Sequence, residues 1–349
     1  MRSLVDIGDL SVAELDELLR VGSEIAERPE AYADACRRKK LATLFFEPST
    51  RTRLSFEAAM LELGGSVIGF EGASSSSSAK GESVADTARV ISAYADIVAM
   101  RHPREGAALV AAENATVPVI NAGDGGHAHP TQTLTDLMTI RRRHGRLSGL
   151  TVGFCGDLKN GRTVHSLIAA LSRYSGNSFV LISPKELRLP SEVREACERL
   201  SIPLTETEGL EAAIPGLDVL YMTRIQRERF LDSEEYERLK DSYVLTPEKL
   251  TEGKEELSIL HPLPRVNEIS IRVDSDPRAA YFEQVENGKW MRMALILMLL
   301  AEAGIDRTPR QRQGTALPHR VCQNPACITQ IEQELAPRFL DGRCVFCEK

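Results

Sequence analysis

Residues 45–57 read Phe-Phe-Glu-Pro-Ser-Thr-Arg-Thr-Arg-Leu-Ser-Phe-Glu, which sets three hydroxyls and two arginines where an apolar run gives way to an amphipathic one. This is the chemistry of a phosphate cradle. Leu41–Phe46 predicts a strand stopped by Pro48, Leu54, Ala58 and Leu61 share one face of the helix that follows, and Gly64-Gly65 ends it. First-turn N–H groups and the helix dipole then converge on one anion, to which Ser49, Thr50 and Thr52 add donors and Arg51 adds a fixed charge. The plainer reading is a capped helix with two exposed arginines. The coincidence of hydroxyls, arginines and a strand-to-helix junction favours the phosphate site over it.

Such groups need elements to hold them. Strands are predicted at 41–46, 67–70, 97–100, 117–121, 151–155, 179–183, 219–223 and 258–261, with helical stretches between them at 82–94, 131–144 and 162–174. This alternation predicts an α/β chain of two doubly wound parallel-sheet domains, divided near residue 145, to which the four cysteines crowded at the end add a small C-terminal zinc-binding module. Other candidate groups fall just past strand ends, where open α/β sheets bind ligands: Arg101 after the third strand and His129 after the fourth. His102 and His127 are read as structural. The amphipathic stretch 281–303, with Trp290, Met291, Leu295, Met298 and Leu299, is too apolar for an exposed helix.

Composition sets outer bounds. The 349 residues are 42% hydrophobic, enough for two ordinary domains and an appendage, and the net charge of −7 disfavours a general nucleic-acid or anionic-membrane binder. No apolar run approaches a membrane span and no secretory h-region follows Met1, so a cytoplasmic protein is expected. Cys36, Cys155 and Cys197 are scattered and read as small buried hydrophobes.

The Ser49-Thr-Arg-Thr-Arg53 segment resembles the carbamoyl-phosphate motif of the carbamoyltransferases, and His129-Pro130-Thr131-Gln132 matches that family's His-Pro-x-Gln element. The resemblance runs through most of residues 1–305. Gly156–Ser166, Tyr221-Met-Thr-Arg-Ile-Gln226 and His261-Pro-Leu-Pro-Arg265 resemble the aspartate-using branch; the ornithine enzymes carry His-Cys-Leu-Pro where this chain has Pro262. The resemblance implies transfer of the carbamoyl group of carbamoyl phosphate to the α-amine of L-aspartate, with no cofactor for catalysis. It implies Ser49, Thr50, Arg51, Thr52, Ser76, Lys80, Arg101, His129, Gln132, Pro262 and Leu263 around carbamoyl phosphate, with Arg51, Thr52, Arg101 and His129 as the catalytic set. For aspartate it implies Lys80, Arg162, Arg224, Gln226, Leu263 and Pro264, with a cis Leu263–Pro264 bond. Ser76 and Lys80 would come from an adjacent subunit, and hence from at least a trimer. The expected division is a carbamoyl-phosphate domain 1–144 completed by helix 281–303, an aspartate domain 145–280, a linker 304–319 and a module 320–349. Two other readings stand beside it: a carbamoyltransferase for another amino acid, or a catalytically silent scaffold.

The tail carries its own signal. Cys322, Cys327, Cys344 and Cys347 follow the spacing C-x4-C-x16-C-x2-C, two close pairs able to converge on one structural zinc in a segment too poor in large apolar groups to fold without a staple. Two disulfides are the poorer reading in a reducing cytoplasm. A nucleic-acid-binding ribbon is disfavoured by only two aromatics, Phe339 and Phe346, and mixed charge. The tail also resembles the zinc domain of the separate regulatory chain of aspartate carbamoyltransferases, without the nucleotide-binding domain that would precede it. The expectation is a fused module packed on the catalytic domain of a neighbouring subunit, without nucleotide control.

Overall fold

The computed structural model describes residues 2–72, 81–225, 233–239, 243–302, 312–317, 320–332 and 334–349, and divides into two compact units, Met1–Thr131 with Gly288–Lys349, and Gln132–Asn287. Both divisions fall inside helices.

Unit 1 is built on four parallel strands, β1 (Lys40–Phe45), β2 (Ser66–Glu71), β3 (Ile97–His102) and β4 (Val119–Asp124), in the order β2-β1-β3-β4. Its helices are α1 (Val12–Glu27), α2 (Thr50–Glu62), α3 (Val84–Ser92), α4 (Ala107–Asn114) and the start of α5 (Pro130–His144). Because β1 runs out to β2 on one side and β3 lies on the other, the connections diverge at the carboxyl ends of β1 and β3. That is the switch point where open sheets leave a crevice for ligand. β1 is buried from Leu41 to Phe45, which is why it reads as a continuous apolar run rather than an alternating one.

Helix α2 departs from the sequence expectation. Its Leu54 and Leu61 are 57% and 60% exposed, and the residues turned to the core are Phe56, Ala59 and Met60. The 3.6-residue period marked a real face, but the uncovered one. The second half of α10 (Tyr281–Glu302) belongs to unit 1, where Lys289 bonds Glu62 at 2.6 Å and the Arg292 guanidinium lies over the Phe56 ring.

Unit 2 has five parallel strands, β5 (Thr151–Cys155), β6 (Ser178–Ile182), β7 (Leu204–Thr207), β8 (Val219–Met222) and β9 (Ser258–Leu260), ordered β7-β6-β5-β8-β9. Helices α6 (Arg162–Leu171), α7 (Ser191–Arg199), α8 (Leu210–Ala213) and α9 (Ser233–Leu239) connect them. The switch point here lies between β5 and β8.

The tail forms a small antiparallel sheet, β10 (Thr315–Ala316), β11 (Arg338–Leu340) and β12 (Arg343–Cys344), so that part of the segment read as a linker pairs with β11. The module does not await a neighbouring subunit. It packs on unit 1 of its own chain, where Ile328, Phe339, Val345 and Phe346 share one buried cluster with Val84, Ala88, Ala107 and Ala108. Glu105 donates its N–H to the Ala326 carbonyl at 3.0 Å and accepts from Ile328 N at 2.9 Å. Arg338 pairs with Glu113 at 2.6 Å and Arg312 with Asp9 at 3.0 Å. Gly106, at φ +87°, lets the chain pass under Phe346: a Cβ there would lie 2.6 Å from the Phe346 carbonyl oxygen. The physical reason for the own-chain seat is that α10 ends in unit 1, so the tail begins beside the surface it covers. No helix among the described residues is long and apolar enough to cross a membrane.

Candidate active site

In unit 1 the loop after β1 delivers Ser49 as the residue preceding α2, and its side chain makes no capping bond to the helix; its hydroxyl donates instead to Thr52 Oγ1 at 3.1 Å. Arg51 has no carboxylate partner among the described residues. Burial and the nearby positive charge of Arg101 both push its pKa below the ordinary arginine value, so two cations face one region. Arg53, the other arginine of the motif, is spent on Glu57 at 2.7 Å and Glu71 at 2.9 Å, which makes it a strut of α2. Arg101, near the end of β3, is largely buried, pairs with Glu47 at 3.0 Å and reaches the Ala122 carbonyl at 3.4 Å. Its Nε is buried with no hydrogen-bond partner among the described residues, a donor awaiting an acceptor.

His129 is buried at the start of α5, with the Thr131 hydroxyl 3.4 Å from its Nδ1. A hydroxyl donating to Nδ1 leaves the proton on Nε2, the tautomer that can donate to a carbonyl oxygen. His102 is structural: its Nδ1 accepts from Arg104 N at 3.0 Å, and burial pushes its pKa down to about 4, so it is neutral at physiological pH. His127 is half-buried beside Asp124. Burial opposes its charge, yet Asp124 and Glu348 outweigh that and raise its pKa well above the ordinary histidine value.

In unit 2 Gln132 donates Nε2 to Asp136 Oδ1 at 2.7 Å, and Asp136 also accepts from the Tyr221 hydroxyl at 2.9 Å and from Gln284. With its amide nitrogen donating to Asp136, Gln132 keeps its amide oxygen as an acceptor. The turn after β5 is stitched to the turn after β8. Thr223 Oγ1 donates to the Cys155 carbonyl at 3.0 Å and accepts from Asp157 N at 3.1 Å, and a Cβ on Gly156 (φ +117°) would meet the Thr223 carbonyl oxygen at 2.4 Å. The buried Asp157 accepts from Asn160 N at 2.9 Å and shapes the run into Gly161 and Arg162. Arg162, opening α6, and Arg224, two residues past β8, therefore issue from the two joined loops at this sheet's switch point. After β9, His261 Nδ1 accepts from Leu263 N at 2.8 Å while Nε2 meets Glu268 at 2.7 Å, which fixes the Pro262–Leu263 turn; Leu263–Pro264 is cis. Ser76, Lys80 and Gln226 lie outside the described residues.

The sequence reading assigned no work to Glu47, Thr131, Asp136, Tyr221 or Gln284. Asp136 could have been found from its spacing, four residues after Gln132 on a helix and so on the same face.

The four tail cysteines are buried and their sulfurs lie within 4.8 Å of one another, with Cys322–Cys347 at 3.6 Å and Cys327–Cys344 at 3.9 Å. A tetrahedron with metal–sulfur bonds of about 2.3 Å has edges of about 3.8 Å, so the donor set and its spacing fit one zinc ion.

The aspartate/ornithine carbamoyltransferase carbamoyl-P binding domain matches residues 2–142, and the Asp/Orn binding domain of the same family matches residues 148–299. The aspartate carbamoyltransferase catalytic subunit of Lachnoclostridium phytofermentans is 62% identical over 301 residues, covering 86% of this chain and 98% of that protein. That of Clostridium novyi is 58% identical over 299 residues, with the same two coverages. Among solved structures, the catalytic subunit of M. jannaschii aspartate transcarbamoylase superposes with a TM-score of 0.81 at 49% identity, covering 86% of this chain and 99% of that one. Aspartate transcarbamoylase from Trypanosoma cruzi in complex with N-(phosphonacetyl)-L-aspartic acid superposes with a TM-score of 0.81 at 37% identity, covering 85% and 95%. The family models end at residue 299, ahead of the four cysteines.

Proposed function

Since the chain belongs to the aspartate/ornithine carbamoyltransferase family, we propose that it is an aspartate carbamoyltransferase, joining carbamoyl phosphate and L-aspartate to give N-carbamoyl-L-aspartate and phosphate, an early step of de novo pyrimidine biosynthesis in the cytoplasm. The observation that carries this reading is the pair Arg162 and Arg224 on the joined loops of unit 2. Two guanidiniums suit an amino acid with two carboxylates, and they repel one with a second amine.

The α-amine attacks the carbonyl carbon and the carbon–oxygen bond to phosphate breaks, releasing phosphate. In the intermediate, negative charge collects on the carbonyl oxygen. Thr52, Arg101 and His129 stabilise that oxygen as fixed donors, worth a few kcal/mol for each well-aimed one. The orphaned Nε of Arg101 supplies one such donor, and His129 supplies another in the tautomer that carries its proton on Nε2. Ser49, Thr50 and Arg51 hold the phosphoryl group, whose departing oxygens accept the proton lost by the amine. Gln132, its nitrogen committed to Asp136, accepts from the carbamoyl –NH2, together with the carbonyls of Pro262 and Leu263. Arg162 takes the α-carboxylate, Arg224 and Gln226 the β-carboxylate. Ser76 and Lys80 complete the site from the adjacent subunit of a trimer, and the exposed Leu54 and Leu61 of α2 suit a chain that associates.

Cys322, Cys327, Cys344 and Cys347 hold one structural zinc that orders the tail, and metal analysis of freshly purified protein is expected to find close to one zinc per chain. Less than half would reject the site, given how tightly such clusters bind. The activity is tested by offering aspartate and ornithine side by side with carbamoyl phosphate. Only aspartate is consumed if the reading is right, and comparable turnover of ornithine would overturn it.

A further inference from the structure

His127 lies half-buried between two carboxylates, one on its own turn and one at the end of the tail: Nδ1 lies 3.0 Å from Asp124 Oδ2, and Nε2 lies 3.6 Å from Glu348 Oε2. Asp124, fully buried, closes the turn that leads to His129. Its Oδ1 accepts from Ala128 N at 3.0 Å and from Asn121 Nδ2 at 2.9 Å, and its Oδ2 accepts from Gly106 N at 2.8 Å. Ala128 immediately precedes His129, and Gly106 ends the segment that begins with Arg101. The same segment is gripped again at Glu105, whose carboxylate accepts from Asn324 at 2.6 Å and pairs with Lys349 at 3.0 Å.

Glu348 is itself anchored by the cysteine knuckle. Its N–H donates to the Cys344 carbonyl at 2.8 Å, Cys344 N donates to the Lys349 carbonyl at 2.9 Å, and its carboxylate accepts from Arg312 at 2.7 Å. Where Glu348 sits therefore follows from how residues 344–347 fold.

We propose that Glu348 is a positioning residue for carbamoyl transfer: through His127 and Asp124 it holds the 124–128 turn, and with it the imidazole of His129, so that the zinc-ordered tail sets the geometry of the reacting groups. The chain runs from Glu348, whose side chain is 47% exposed, through His127 to the fully buried Asp124, and such a polar chain rigidifies at its inner end when every member is satisfied and loosens when one is removed. Misplacement by about 1 Å at a reacting group can cost on the order of 100-fold in rate, so a partial loosening of this turn is worth roughly tenfold. The inference rests on the carbamoyltransferase reading.

The test uses the full-length, zinc-loaded protein and the variants Glu348→Ala, Glu348→Gln, His127→Gln and the double variant His127→Gln/Glu348→Ala. Zinc content, kcat, aspartate KM and amide hydrogen exchange over residues 124–131 are measured. Glu348→Ala is expected to keep its zinc, lose roughly tenfold in kcat with aspartate KM within about twofold, and exchange faster at 127–129. Glu348→Gln keeps an acceptor oxygen and should stay within about threefold of the parent, and the double variant should be no worse than the poorer single one, since both act along one path. Unchanged kcat and exchange in zinc-replete Glu348→Ala would overturn the proposal. So would zinc lost in step with activity, or additive losses in the double variant. If the parent protein itself fails to carbamoylate aspartate, the functional reading falls, while the exchange comparison still decides whether Glu348 holds the turn.

Discussion

Replacing Gly106 by alanine tests the seat of the tail on unit 1. Gly106 sits at φ +87°, a conformation that costs an L-residue about 1–2 kcal/mol, and the added Cβ would stand 2.6 Å from both the Cβ and the carbonyl oxygen of Phe346. Neither atom belongs to a flexible side-chain end, and Phe346 is almost fully buried, so relief requires moving the tail backbone. Overpacking of this kind costs about 1–3 kcal/mol, which brings the total to about 2–5 kcal/mol. Gly342, on the tail at φ +82° with nothing within 4 Å of its would-be Cβ, provides the control: Gly342→Ala carries the backbone cost alone. Zinc release to a chromophoric chelator, followed across a urea titration, reads both variants. The Gly106→Ala midpoint should fall below that of Gly342→Ala by the equivalent of about 1–3 kcal/mol. Coincident midpoints would show that the close approach of Gly106 to Phe346 does not hold the module.

Arg224→Ala should leave a substrate carboxylate unpaired at a cost of about 2–3 kcal/mol, raising aspartate KM roughly 30- to 150-fold with little change in carbamoyl phosphate saturation; an unchanged KM would remove Arg224 from the aspartate site. Mixing the inactive variants Lys80→Ala and Arg51→Ala under conditions of verified subunit exchange should restore partial activity, because some sites then join an intact loop to an intact cradle, and no recovery would reject a shared site. Burial pushes the Glu268 carboxyl up, but its hydrogen bond to His261, the His261 charge and backbone donors together outweigh that and take its pKa below the ordinary 4.5. A depressed carboxylate stabilises the fold above about pH 4.5 and loses that contribution as pH falls through the lower folded value, so Glu268→Gln should flatten the acid limb of the stability profile; an unaltered limb would assign acid unfolding to other groups.

Much of the fold was legible because parallel strands buried on both faces leave continuous apolar runs, and Thr151–Cys155 has the same bounds in sequence and structure. Strand ends elsewhere shift by one to three residues, since ladder partners rather than composition decide where pairing stops. Edge strand β7, Leu204–Thr207, left no signal: its four residues are half-exposed or exposed and carry threonine and glutamate. Helix α2 shows the limit of periodicity, which finds a face but not what covers it; Leu54 and Leu61 proved exposed. Four cysteines in one short span announce themselves. The Tyr221–Asp136 bond joins residues 85 apart in the chain, and nothing local in either segment points to the other. The same holds for His127 and Glu348, which meet only because the tail folds back over unit 1.

The most direct test of the central claim follows the atoms. Carbamoyl phosphate labelled with 13C at its carbonyl carbon is incubated with the protein and 15N-labelled L-aspartate, and the product is read by NMR. Carbamoyl transfer to the α-amine predicts a ureido carbon with one-bond coupling to the aspartate nitrogen, formed in step with released phosphate. Release of phosphate with the label recovered only as carbonate, or a coupled product that forms equally with 15N-labelled ornithine, would contradict it.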